Sequence, residues 1–246
     1  MKIISIINQK GGTGKTTTAI NLGVALARMG KRVLLVDLDP QANLSYAFGI
    51  TSPAGTMADV LEGKQALQGI FLHREGLDIA PASPGLADVE VSLISTTGGE
   101  QKMKNRLVGL TGFDYVFIDC PPSLSVLTAN ALTASDELLI PTQVEILALQ
   151  GLSQLLSTIK EVKEVLNKNL RVAGVVVSMY DYRRSLSGEV LAEIKKMAKV
   201  FDTVIRENVR IAEAPSFAKS VLSYAPTSHG AEDYLNLARE FIKERS

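Results

Sequence analysis

Short runs of aliphatic and β-branched residues recur along the chain, each followed by a stretch with helical spacing. KIISIIN at the amino terminus runs into a glycine-rich loop. TTTAINLGVALARMG then sets Ile20, Val24 and Ala27 on one helical stripe that closes at Gly30. KRVLLVDLD is apolar at nearly every position up to its terminal acids, the pattern of a parallel strand buried on both faces. GLDIAPAS, FDYVFIDCPPS, DELLIPTQ, NLRVAGVVVSMY and FDTVIREN repeat that pattern, each broken by Pro, Asp or Asn. Between them EILALQGLSQLLSTIKEVKEVLNK carries Leu149, Leu152, Leu155, Leu156, Ile159 and Val162 at helical intervals. The alternation predicts an α/β fold, a doubly wound, mostly parallel sheet flanked by helices. Residues 51–104 are the least regular, and short helices around one strand are expected there. Without an internal repeat, a low-complexity tract or a Pro/Gly/Ser linker, one domain over residues 1–246 is expected.

Composition narrows the class. A chain of 246 residues, 46% hydrophobic and 21% charged, suits a soluble protein with one substantial core. Basic and acidic residues both number 26, so any nucleic-acid binding requires a local basic patch rather than an overall positive field. The single cysteine, Cys120, excludes an intramolecular disulfide, a zinc site and an iron–sulfur cluster within one chain, and fits a reducing cytoplasm. No apolar run approaches the roughly 18 residues of a membrane span, and no leader-like cleavage region follows the first strand. A cytoplasmic, unprocessed chain is expected.

The chemistry concentrates in NQKGGTGKTTT, residues 8–18. A phosphate-binding loop of the form G-x-x-x-x-G-K-[ST] needs glycine five residues before Gly14, and Gln9 stands there, with a second lysine, Lys10, beside it. Gly11, Gly12, Thr13, Gly14, Lys15, Thr16 and Thr17 still offer consecutive backbone N–H groups and a helix amino terminus to a polyphosphate. Lys15 is expected to reach the terminal phosphates and the Thr16 hydroxyl to ligate Mg²⁺. A metal site of this kind needs a carboxylate, and Asp119 at the end of YVFID supplies one. Asp39, just past the end of LLVDLD and stiffened by Pro40, is the candidate to orient an attacking water. The plainer alternatives are a turn former at Asp119 and a helix N-cap at Asp39, before ANLSYAF.

KGGTGKTTT, VLLVDLDPQAN, FIDCPPS, IPTQVEILALQGLSQL and NVRIAEAPS, in this order and spacing, closely resemble the ParA/Soj partition ATPases, of the deviant Walker A branch of P-loop proteins. The likeness extends to the last helix, GAEDYLNLAREFI. It implies an ATP- and Mg²⁺-dependent enzyme that forms a homodimer around two nucleotides and hydrolyses them slowly until a partner stimulates it. By resemblance, Lys10 crosses the dimer seam to the partner's phosphates, and Gly11 lets the two loops approach. Asp39 is needed for hydrolysis, and Asp119 acts on Mg²⁺ through water. Asn208 contacts adenine, with Met179 and Pro215 near the base.

The same family binds DNA without sequence preference as the ATP dimer, is nucleoid-associated, and is released by a centromere-bound, ParB-like protein. Candidate DNA contacts are Arg183 and Arg184 in YDYRRSLSGEV, with Arg210 and Lys219 in NVRIAEAPSFAKS. Lys195, Lys196 and Lys199 add charge nearby in sequence, and each of these residues has a solvated-surface alternative. The family's Pro-Arg-Asn before VR is Arg206-Glu207-Asn208 here, which removes a basic charge from that patch. No helix-turn-helix precedes the loop, so operator-specific autoregulation is not expected.

Two other readings share the loop. A MinD-like membrane-cycling ATPase needs a carboxyl-terminal amphipathic helix. EDYLNLAREFIKERS carries Tyr234, Leu237, Phe241 and Ile242 on one side, a stripe expected to pack into the core instead. A ParA-like protein that positions other cargo, such as a chemosensory array or a protein compartment, would have the same site, because cargo enters through an adaptor. A nitrogenase-type iron protein requires paired cysteines and is excluded. Cys120 is read as a packing residue beside Asp119, and His73 and His229 lack ligand spacing.

Overall fold

All but one of the apolar runs feed one sheet, because their residues alternate between two covered faces. The computed structural model describes residues 1–183 and 186–245. The strands are β1 (Lys2–Ile6), β2 (Val33–Asp37), β3 (Leu72–Arg74), β4 (Leu77–Ala80), β5 (Tyr115–Asp119), β6 (Glu137–Thr142) and β7 (Arg171–Val177). The helices are α1 (Lys15–Arg28), α2 (Asn43–Ala47), α3 (Met57–Glu62), α4 (Leu86–Ile94), α5 (Lys102–Leu107) and α6 (Val126–Ala134). They continue with α7 (Ile146–Val165), α8 (Leu186–Met197), α9 (Val209–Glu213), α10 (Val221–Tyr224) and α11 (His229–Lys243). Among the described residues the sheet has the order β3-β4-β2-β5-β1-β6-β7, parallel except for β3.

Val33 and Leu35 join one apolar layer with α1, α10 and α11, while Leu34 and Val36 join the other with α3 and α4. Leu138 and Ile140 face a third cluster under α7 and α8. This two-sided burial is why the runs read as continuously apolar. In α7, Leu152, Leu155 and Ile159 are buried, and Leu149, Leu156 and Val162 pack against the same cluster. The carboxyl-terminal stripe also packs inward: Tyr234, Leu237 and Phe241 are buried, with Phe241 against the rings of Tyr115, Phe117 and Phe201. Those side chains hold α11 on the sheet, which opposes the membrane-anchor reading. No helix among the described residues is long and apolar enough to cross a membrane.

Two expectations need correction. FDTVIREN is no strand: the chain from Val200 to Arg206 runs beside β7 and the residues that follow it, touching them through isolated bridges, Val175 with Val200 and Tyr180 with Arg206. The ladder breaks between them because the Glu240 carboxylate of α11 accepts the N–H groups of Asp202 and Thr203 at 2.7 and 2.9 Å. Gly174 permits this packing, since a Cβ there would lie 2.8 Å from the Phe201 ring. Residues 51–104 contain two strands rather than one, because β3 forms a hairpin with β4. Its two turn residues, Glu75 and Gly76, both have positive φ (46° and 82°), as a type I′ turn requires. The Glu75 carboxylate accepts hydrogen bonds from the Ser220 amide and from the Ser220 and Ser223 hydroxyls, which offset the strain.

Candidate active site

The functional residues collect at the carboxyl ends of three adjacent strands, β2, β5 and β1, where a doubly wound sheet presents its ligand crevice. The loop after β1 turns into α1 at Gly14, whose φ of 86° only glycine adopts without strain. Neighbouring strand ends brace it. The Asn8 amide donates to the Pro141 carbonyl at 2.7 Å, and the Ser178 hydroxyl to the Thr13 carbonyl at 2.8 Å. Asn8 Oδ1 accepts the Lys10 N–H, and the Thr13 hydroxyl donates to the Lys10 carbonyl. Backbone amides fixed in this way need no reordering to receive a phosphate.

Lys15 opens α1 and is buried, and burial holds its ammonium below the ordinary lysine range, opposed by Asp119, Cys120 and Asp39. Asp119 and Asp37 face each other in register across β5 and β2, both fully buried. Neither Asp119 oxygen has a hydrogen-bond partner among the described residues. Burial, then the Asp37 charge, pushes its carboxyl well above the usual carboxylate range, with Thr16 and Lys15 pulling it back. An orphaned acid beside the Thr16 hydroxyl and a lysine has the donor set for a hydrated divalent cation, so the residues present fit Mg²⁺.

Asp37 is satisfied instead: it accepts the Ser45 hydroxyl at 2.7 Å and the Ser45 amide at 2.9 Å. Its pKa still rises to about 6, chiefly through burial. Asp39 accepts the Gln41 amide at 2.9 Å and lines the phosphate-side cleft, which decides against the helix N-cap reading, since Ala42 occupies that position before α2. Cys120 is buried, and its thiol is pushed upward by burial and by Asp119, as suits a packing residue.

The phosphate-side cleft, about 440 Å³, is lined by Gly11, Gly12, Gly14, Lys15, Thr16, Thr17 and Asp39. A second cleft, about 530 Å³, contains Met179, Asn208, Pro215 and Tyr234. Both share Gly14, Thr17, Ile211 and Pro215, so they form one trough with the volume of a nucleotide site. The three residues expected near a base are thus together. Met179 holds a positive φ of 52° and its sulfur accepts from Gln143, while the Asn208 side chain caps α9 by accepting the Arg210 amide. Arg206 anchors this segment by pairing with buried Asp233 of α11, and Glu207 lines the trough beside Asn208.

Lys10 does not line the phosphate cleft. Its Nζ lies 2.6 Å from Glu145 Oε2, just before α7, and both side chains are 43% exposed. Among the described residues the proposed DNA contacts have different neighbours. Arg183 pairs with Asp181 and Arg210 with Glu213, Lys219 lines the phosphate-side cleft, and Arg184 lies outside the described residues. Lys196 pairs with Glu193 and Lys199 with Glu244. His73 contacts Asp78 and His229 contacts Glu232, both on the surface.

Sequence reasoning missed the bracing residues Asn8, Ser45, Gln143 and Ser178, and the partner of Lys10, Glu145. Asp37 carried a signal, an acid inside an otherwise apolar strand. The others are ordinary polar residues at strand ends.

Comparison with known proteins places the chain in a family. Residues 1–172 match the family model described as an AAA domain. The chromosome partitioning protein ParA of Caulobacter vibrioides is 47% identical over 98% of this chain and 94% of its own length. The sporulation initiation inhibitor protein Soj of Bacillus subtilis is 48% identical over 97% of each. Cobyrinic acid a,c-diamide synthase from Mycobacterium smegmatis, solved with bound ADP and magnesium, is similar in fold. Its TM-score is 0.87 at 34% identity, covering 99% of this chain and 95% of that one. Likeness at this level, spanning nearly the whole length, means that the chain belongs to the ParA/Soj group of the ParA/MinD superfamily of P-loop ATPases.

Proposed function

We propose that this protein is an ATP-dependent dimer switch with slow ATPase activity in a single domain. In this reading the ATP-bound homodimer binds DNA nonspecifically on the nucleoid, and a centromere-binding, ParB-like protein stimulates hydrolysis and releases it, driving chromosome or plasmid partition. One observation carries the reading: Lys10 stands outside its own phosphate cleft, while the loop beside it is bare. A Cβ on Gly11 or Gly12 would meet nothing within 4 Å. A cation placed to miss its own nucleotide is suited to reach another subunit's. Exposed Leu124, Ile146 and Leu147, following β5 and β6, give the same end of the sheet an apolar surface to cover.

The residues divide the work. The loop amides and Lys15 hold the β- and γ-phosphates, and Asp39 orients the attacking water. Magnesium, held by the Thr16 hydroxyl and through water by Asp119, would neutralise charge on the phosphate oxygens. Lys10 of the second subunit adds positive charge as the γ-phosphate departs, which makes turnover conditional on assembly. Arg183, Arg184 and Arg210 are the proposed DNA contacts, and Lys219 is assigned to the nucleotide side.

The test separates the two lysines. Lys15→Ala should lose productive ATP binding, measured by titration calorimetry. Lys10→Ala should bind ATP within about threefold of the parent yet lose dimerisation or turnover. Normal dimerisation and turnover in Lys10→Ala would remove the trans role.

A further inference from the structure

We propose that Glu145 is a positioning residue that holds Lys10 in reserve: in the free subunit it latches the ammonium in cis, and assembly must exchange that ion pair for the second subunit's phosphates. This rests on the dimer reading above and adds to it an explanation of why the lysine does not act prematurely.

Three observations support the latch. Lys10 Nζ is 2.6 Å from Glu145 Oε2. The Lys10 backbone is fixed on both sides, its N–H given to Asn8 Oδ1 at 3.0 Å and its carbonyl accepting from Thr13 at 3.3 Å. Only the side chain has to move for the exchange, through rotamers open to a half-exposed lysine. A second tie joins the same two segments, since the Gln143 amide donates to the Gly12 carbonyl at 3.1 Å. The turn between β6 and α7 is therefore fastened to the loop in the free subunit, and exposed Ile146 and Leu147 follow Glu145 directly. Covering those side chains alters the surroundings of the carboxylate that holds the lysine.

The expected magnitude follows from the exposure. A solvent-exposed ion pair shifts an equilibrium by about 1.4- to 5-fold. A dimer opens two latches, so removing them should tighten dimerisation by about 2- to 25-fold. The experiment uses Asp39→Ala with ATP and Mg²⁺, with dimer Kd measured by sedimentation equilibrium. Adding Glu145→Gln, which keeps the shape and removes the charge, should lower the Kd within that range. In a Lys10→Ala background, where no ATP dimer is expected, the same change should not restore one, because there is nothing to release. A Kd unchanged or raised by Glu145→Gln would overturn the latch, as would an ATP dimer restored by Glu145→Gln in the absence of Lys10, which would mean that Glu145 acts independently. If Asp39→Ala forms no ATP dimer at any concentration, the dimer reading falls and the latch with it. A dimer indifferent to Glu145→Gln removes the latch alone.

Discussion

Asp37 and Asp119 sit opposite each other on neighbouring buried strands, yet their surroundings differ. Ser45 satisfies Asp37, while Asp119 has no hydrogen-bond partner among the described residues, which marks Asp119 as the group that gains most from a cation. For Asp37 the folded value of about 6 lies above the ordinary aspartate value of 3.8, so the native chain binds the extra proton between them. Stability of the nucleotide-free chain should be greatest below about pH 4 for this group and fall by up to roughly 3 kcal/mol as pH passes about 6. Asp119 is shifted in the same direction. Asp37→Asn should flatten the dependence, read as urea midpoints across pH; an unchanged slope would assign it to other groups. At this scale the sequence showed the acids and Lys15, because strand-end carboxylates and the Gly-Lys-Thr order are local features. It did not show Glu145, which lies 135 residues from Lys10 and meets it only through the packing of β6 against β1.

The loop and α1 are the most legible element, since strand, glycine and helix follow one another within residues 2–28. Two glycines there should behave differently. Gly14→Ala places a side chain at φ 86° and should cost about 1–2 kcal/mol by thermal unfolding, with weakened ATP binding. Gly11→Val enters open space and should leave the monomer's stability within about 0.5 kcal/mol while blocking dimerisation. A destabilised Gly11→Val monomer would mean that the loop face is not free. The elements that sequence misread are those set by distant contacts. Glu240 of α11 takes the amides that would have extended FDTVIREN as a strand. Glu75 occupies a turn position normally signalled by Asn or Asp, so the β3–β4 hairpin carries a weak local signal.

For the whole molecule, the trough runs between the loop and the α9 segment, and the lysine that completes it in our account comes from a second copy. A net charge of zero keeps long-range attraction to DNA weak, so binding should depend on the basic side chains that two subunits bring together in the dimer. Asp39→Ala with ATP should bind DNA with affinity that falls steeply with salt, and much more weakly with ADP, measured by fluorescence anisotropy over a salt series. Equal affinity in both states would detach DNA binding from the nucleotide switch. The central claim concerns assembly itself, and the most direct measurement is the mass of Asp39→Ala in solution by sedimentation, with ATP and with ADP, alone and combined with Lys10→Ala. The account predicts a dimer with ATP, a monomer with ADP, and loss of the ATP dimer when Lys10 is removed. A monomer under every condition, or a dimer that needs neither ATP nor Lys10, would contradict it.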